Sequence, residues 1–208
     1  MSRELILHHP DIRQFTTVWM DSLRGGESML VNTNKLIRFY DGATGLKTGS
    51  TGSAGYCLSA TAEKNGMELI AVVLKGKTSD ERFSDAKSLL NYGFSTWSLV
   101  TVTPDEVLPP VPVTLGVRGT VQPVLTSENT LLVEKTLANG LTKEVALAES
   151  VAAPVYAGDT LGQLTVRDAA GNTVAELPIL AGEDVGHVTF VQMLGRCLAR
   201  GFCMGPQS

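Results

Sequence analysis

The chain has 208 residues, 43% of them hydrophobic and 18% charged, with a formal net charge of −4. That length supports one large or two small domains, and the composition supplies a packed core and excludes bulk disorder. The acidic balance offers no basic face for nucleic acid, and three cysteines are too few for a disulfide framework.

Glu4-Leu5-Ile6-Leu7 has the pattern of an amphipathic helix rather than the uncharged apolar core of a secretion signal, so the chain reads as starting inside a domain. Pro10 stops that helix, and Asp11 can cap a second short one from Ile12 to about Thr17. Trp19, Met20 and Leu23 are expected in the core. Arg24-Gly25-Gly26-Glu27 is a turn, Met29-Leu30-Val31 a short strand, and Asn32 and Asn34 are turn formers.

The stretch Asp41-Gly42-Ala43-Thr44-Gly45-Leu46-Lys47-Thr48-Gly49-Ser50-Thr51 carries the chemistry. Lys47, Thr48 and Gly49 enter a strand with a fixed positive charge, a hydroxyl, and a residue that allows close backbone approach. An exposed strand edge of this kind suits strand addition by an extended peptide. The bland reading is a polar turn entering a strand. Gly55–Ala62 and Glu68–Leu74 follow as strands, joined by Glu63-Lys64-Asn65-Gly66, whose Asn-Gly is a strong hairpin signal. Cys57 is expected to be a buried small hydrophobe. Ser79 or Asp80 caps a helix to about Tyr92, with Phe83, Ala86, Leu89 and Leu90 on one face and Gly93 ending it.

From Ser98 to about Leu180 the pattern turns to short β-prone segments: Leu99–Thr103, Val111–Val117, Leu131–Glu134, Thr142–Ala148, Gly158–Arg167 and Thr173–Pro178. Asp168-Ala169-Ala170-Gly171-Asn172 is a hairpin loop between the last two, and Pro109, Pro110 and Pro112 belong to edges or connections. A small β-sandwich over 98–182 is expected. From Glu183 on, Phe190, Val191, Leu194, Cys197, Leu198 and Phe202 share one helical arc, with Arg196 and Arg200 opposite. This predicts an amphipathic helix over 183–208 that either lies on a membrane surface or packs on the protein.

Asn32-Thr33-Asn34-Lys35-Leu36-Ile37, Asp41-Gly42, Gly45-Leu46-Lys47-Thr48-Gly49-Ser50-Thr51 and Ala54-Gly55-Tyr56-Cys57-Leu58 together resemble the D-alanyl-D-alanine carboxypeptidases, the low-molecular-weight penicillin-binding proteins of serine peptidase family S11. The resemblance covers nearly the whole chain. It implies an α+β fold: a partial penicillin-binding, β-lactamase-like transpeptidase domain over 1–97, the small β-sandwich over 98–182, and a membrane-tethering helix. The implied partners are a peptidoglycan stem peptide ending in D-Ala-D-Ala, β-lactams in the complete enzyme, and a membrane surface met through residues 183–204. No cofactor, metal or nucleic acid is implied. The implied location is the outer face of a bacterial cell membrane, with a signal peptide upstream.

By the same resemblance Lys47 gives electrostatic stabilisation and holds the proton network, and Thr48 hydrogen-bonds the terminal carboxylate. Gly49 leaves room for the substrate backbone, and the Ser50 N–H supplies one oxyanion donor. Arg82 stands where the family attracts the carboxylate; its bland reading is a solvated helix residue paired with Asp80 or Asp85. Thr33 falls where some members carry a further basic residue. The family's Ser-x-x-Lys nucleophile motif and its Ser-x-Asn motif precede the matched segment. Both are expected to be missing from this chain, which resembles the C-terminal portion of such an enzyme and by itself is expected to form no acyl-enzyme. The alternative function is a non-catalytic, membrane-tethered wall-binding module. A β-lactamase or glutaminase relative is a weaker match, because those lack the β domain and tail.

Overall fold

A computed structural model describes residues 1–195. The chain divides into two compact units, one of residues 1–99 with 132–136 and the other of 100–131 with 137–208.

In the first unit α1 (Ser2–His8) leads through a 3-10 turn at Pro10–Ile12 to α2 (Arg13–Thr16). Arg13 fixes α2 to the base of the next hairpin, with ion pairs to Glu63 at 2.7 Å and Glu68 at 2.6 Å. β1 (Met20–Leu23) and β2 (Ser28–Val31) form an antiparallel ribbon. The expectation that Met20 and Leu23 lie in the core fails, because both are exposed on this ribbon. Among the described residues no third layer covers this two-stranded element, so apolar side chains there stay exposed.

After the single turn α3 (Leu36–Phe39) comes an antiparallel sheet of order β3 (Ala43–Thr51), β4 (Gly55–Lys64), β5 (Met67–Gly76). Asn65 and Gly66 turn the β4–β5 hairpin with positive φ of 53° and 76°, as a two-residue primed turn requires. One sheet face supplies Leu58, Ala60, Ala62, Ala71 and Val73. These pack with Leu36 and with Phe83, Ala86 and Leu90 of α4 (Ser79–Thr96). Thr78, one residue ahead of the predicted cap, accepts a hydrogen bond from Glu81 N and so caps α4. Gly93 does not end the helix but lies within it. A Cβ there would stand 2.5 Å from Leu69 Cδ1, so this glycine is selected by close helix–sheet contact. Leu89, expected on the buried face, is exposed.

β6 (Trp97–Thr101) leaves the first unit. The second unit holds β7 (Val111–Thr114), β8 (Thr120–Val121), β9 (Pro123–Leu125), β10 (Thr130–Glu134, partly in the first unit), the turn α5 (Lys135–Ala138, whose first residues belong to the first unit), β11 (Thr142–Leu147), β12 (Val151–Ala152), β13 (Thr160–Arg167) and β14 (Thr173–Ala181). A sheet of order β11–β13–β14–β9 and a smaller one of order β12–β7–β8 make up most of it. Alternate residues Leu164 and Val166 on β13, and Leu177 and Ile179 on β14, enter one core cluster; Val111, Val113, Val155 and Val185 enter another. The 168–172 loop turns as predicted. Asp168 Oδ1 accepts from Ala170 N and Asn172 N, and Gly171 has φ 86°.

The terminal helix does not begin at 183. Val185 pairs with Val155, and both Val185 and Val188 are buried, so the segment before 190 completes the β unit. Residues 190–195 are helical, and Phe190, Val191 and Leu194 are exposed on it. Arg196, Cys197, Leu198, Arg200 and Phe202 of the predicted helix lie outside the described residues. No described helix is long and apolar enough to cross a membrane.

Candidate active-site wall

β3 is an edge strand: among the described residues β4 is its only neighbour. Side chains alternate along it. Lys47 pairs with Ser59, which pairs with Val72, while Thr48 pairs with Leu58, which pairs with Val73. Thr48 therefore shares the face packed on α4 and is 8% exposed, whereas Lys47 projects from the opposite face into solvent. The Lys47 ammonium donates to its neighbour's carbonyl, Thr48 O, at 2.6 Å, which leaves two of its three donors for a further acceptor.

Thr48 Oγ1 lies 2.7 Å from Thr33 Oγ1. Thr33 is exposed, so this hydroxyl pair opens to solvent at the edge of the sheet. Asn34, the next residue, holds Thr33 in place. It is 2% exposed; its Nδ2 donates to Gly45 O at 2.9 Å and its Oδ1 accepts from Leu36 N at 3.2 Å. Asn32 Oδ1 accepts from Asn34 N at 2.9 Å, and Asn32 Nδ2 donates to Val18 O at 2.9 Å. The two asparagines form turns, as their type predicts, but Asn34 is also a buried clasp between this segment and β3. Sequence reasoning missed that role; the only available signal was the repeated Asn-x-Asn spacing before an apolar pair.

Arg82 is not the solvated helix residue of the bland reading. It is buried, its Nη1 donates to Gly49 O and Cys57 O at 3.3 Å each, and its guanidinium lies 4.8 Å from the Phe83 ring centroid and 5.4 Å from that of Tyr56. Asp80 instead pairs with Lys35 at 2.8 Å, and that hydrogen bond and charge lower its pKa. Arg82 thus reaches the far side of the strand that carries Lys47 and steadies the Gly49 carbonyl. Cys57 is half-buried rather than buried, with Sγ 3.4 Å from Ala54 O.

Gly45 and Gly49 differ in what surrounds them. A Cβ on Gly45 would meet Thr16 Oγ1 at 3.0 Å, but one on Gly49 would meet nothing within 4 Å. Among the described residues nothing packs so closely as to demand a glycine at 49. On the same face, Val72 is 55% and Leu74 72% exposed; α1 lies beside Ser59, where Ser2 Oγ is 2.9 Å from Ser59 Oγ, and beside Glu68, Leu69 and Ile70 of β5.

The expectation that both motifs are missing fails as a statement about the sequence, which contains Ser84-Asp85-Ala86-Lys87 and Ser127-Glu128-Asn129. Neither stands at the β3 edge. Ser84 is exposed on α4, and among the described residues no hydrogen bond joins its hydroxyl to Lys87; a serine without a base is a poor nucleophile. Ser127 lies exposed in a loop of the second unit, and Asn129 Nδ2 is engaged by Val102 O at 3.0 Å. Among the described residues no group of His, Cys, Asp or Glu converges to hold a metal.

Residues 1–78 match the family model described as D-alanyl-D-alanine carboxypeptidase, and residues 100–187 match that of the penicillin-binding protein 5 C-terminal domain. The chain belongs to the D-alanyl-D-alanine carboxypeptidase family. It is 34% identical over 203 residues to the D-alanyl-D-alanine carboxypeptidase DacF of Bacillus subtilis, covering 95% of this chain and 52% of that protein. It is 30% identical over 143 residues to DacC of Escherichia coli, covering 68% of this chain and 36% of that protein. The chain thus spans about half the length of the Bacillus carboxypeptidase. Among solved structures, penicillin-binding protein 5 of Haemophilus influenzae superposes with a TM-score of 0.71 at 23% identity, over 89% of this chain and 54% of that one. A PBP3 from Streptococcus pneumoniae superposes with a TM-score of 0.61 at 24% identity, over 88% and 55%. These two likenesses establish the carboxypeptidase fold, with its α+β layer and following β domain.

Proposed function

We propose that the outer edge of β3 is the peptide-gripping wall of a serine-type D-Ala-D-Ala carboxypeptidase site, which removes the terminal D-Ala from peptidoglycan stem peptides through an acyl-enzyme. The observation that carries this reading is the open space at Gly49, beside an ammonium with donors to spare and a part-buried hydroxyl pair that opens to solvent through Thr33. A glycine that the described residues do not demand, on an unpaired edge, fits an extended peptide laid alongside. In this reading Lys47 stabilises developing charge and Thr48, oriented by Thr33, hydrogen-bonds the free carboxylate. The Ser50 N–H donates to the oxyanion, and Arg82 adds positive potential from behind the strand. The attacking serine belongs to polypeptide preceding the matched segment, so the 208 residues alone form no acyl-enzyme and bind no β-lactam covalently. The enzyme works on the outer face of the cell membrane, held there by the segment from 190 onward.

Amide NMR tests the wall directly. An N-acetylated peptide ending in D-Ala-D-Ala is expected to shift the Lys47, Thr48, Gly49 and Ser50 amides, and its C-terminal amide to shift them far less. Equal shifts with both peptides, or none at these positions, sink the proposal. Fluorescent penicillin should leave this chain unlabelled and label it when fused behind the preceding half of the Bacillus relative.

A second reading rests on the exposed Phe190, Val191 and Leu194. Expressed as given, the chain acts as a non-catalytic module that holds the β unit at a membrane surface.

A further inference from the structure

A separate hollow in the first unit has a chemistry that the β3 edge does not use. It has a volume of about 410 Å³ and lies between the β4–β5 hairpin and the C-terminal end of α4. Two cations, Lys64 and Lys135, line it, and no carboxylate does. Lys135 Nζ donates to Phe94 O at 2.7 Å, and Lys64 Nζ lies 4.7 Å from the Tyr40 ring centroid and 3.6 Å from Asp41 Oδ2. An ammonium carries three donors, so each lysine has capacity left. Capping the negative end of α4 engages Lys135, and the Asp41 carboxylate with the Tyr40 and Phe94 rings engages Lys64; both keep donors to spare.

Ser98 lines the same hollow, and its hydroxyl is buried without a hydrogen-bond partner. That hydroxyl is closed off from the hollow, so the polar contacts available to a ligand are the two ammonium groups. Trp97, Phe94 and Met67 supply an apolar wall, and an indole offers a flat face to a ring. A volume of this order holds a single sugar with a charged substituent.

We propose that this hollow binds an anionic sugar, a pyranose bearing a carboxylate or a phosphate. Its ring lies against Trp97 and its charge faces Lys64 and Lys135. The proposal does not depend on the β3 site, because it needs neither Lys47 nor a nucleophile.

Trp19 and Trp97 are the only tryptophans, so Trp19→Phe makes Trp97 the sole reporter. Titration of that full-length variant with glucuronate and with glucose 6-phosphate is expected to give a saturable change in emission that weakens at high salt. Glucose and inorganic phosphate should bind at least about tenfold more weakly, the size expected for losing either the charge-assisted contacts or the ring contact. Lys135→Gln should weaken the anionic sugars about fivefold or more, and adding Lys64→Gln should abolish saturation. If the double variant does not fold, Lys135→Gln and the salt dependence still decide. No saturable change with either anionic sugar, glucose as tight as glucuronate, or unaltered affinity in Lys135→Gln overturns the proposal. So does inorganic phosphate as tight as glucose 6-phosphate, which would indicate an adventitious ion only.

Discussion

Replacing Asn34 with alanine should loosen the wall without touching Lys47 or Thr48. The amide makes two hydrogen bonds from a nearly fully buried position, to Gly45 O and from Leu36 N. Alanine removes both and strands a carbonyl and an N–H in the interior. Each stranded group costs about 1–3 kcal/mol, and partial relaxation brings the expected loss to about 2–4 kcal/mol of first-unit stability. Urea unfolding in a Trp97→Phe background, followed by Trp19 emission, measures it, since Asn32 of the same segment bonds Val18 O beside that tryptophan. Asn32→Ala is the control: its bonds lie nearer the surface, and it should cost about 1 kcal/mol. The Thr33 and Thr48 resonances of Asn34→Ala should also broaden or move, because the segment presenting Thr33 is no longer held to β3. A loss below about 1 kcal/mol, or a loss no larger than that of Asn32→Ala, would refute the clasp.

The uncovered face of the sheet should bind an apolar dye, and Val72→Thr with Leu74→Thr should reduce that binding while leaving β strand content unchanged; undiminished dye signal would place the exposed surface elsewhere. The first unit should also melt less cooperatively than the second, which calorimetry can resolve. Asp168 has its pKa lowered, chiefly by its side-chain hydrogen bond to Asn172 and then by backbone N–H donors. Its contribution to the β13–β14 turn is therefore present above the ordinary carboxylate value and is lost as pH falls through the depressed folded value. A carbon-detected titration giving an ordinary value for Asp168 would contradict this. Vesicle flotation of the chain with and without residues 190–208 should separate the two, with anionic lipid favouring the longer form; equal flotation of both removes the tether.

Local chemistry made much of this fold readable in the sequence. Asn65-Gly66 announced the central hairpin because only a few residue pairs accept two successive positive φ values. The alternation through Leu164, Val166, Leu177 and Ile179 announced strands buried on one side. What stayed hidden depends on partners distant in sequence. Gly93 carries the same local signal as a helix terminator, and only Leu69 of β5 shows that it is a packing glycine. Asn34 looks like any turn former until Gly45 O is beside it. Met20 and Leu23 have core-like side chains, yet whether they are covered depends on a layer that lies outside this ribbon. At the wall itself, the Lys-Thr-Gly string placed Lys47 and Thr48 correctly on a strand. Their opposite orientations follow from the period of two, but the Thr33 hydroxyl beside Thr48 could be found only in three dimensions.

The notch at Gly93 ties two distant positions to one another. Because Leu69 Cδ1 occupies the place of a side chain at residue 93, α4 rests lower on β5 than two ordinary side chains would permit. The helix is a single rod from Ser79 to Thr96, so how deeply that end is seated sets the height at which Arg82 meets Gly49 and Cys57. Bulk at residues 69 and 93 should therefore be exchangeable but not additive: leucine at 93 would be tolerated with alanine at 69, whereas leucine at both would tilt the rod and lift the guanidinium from the strand behind Lys47.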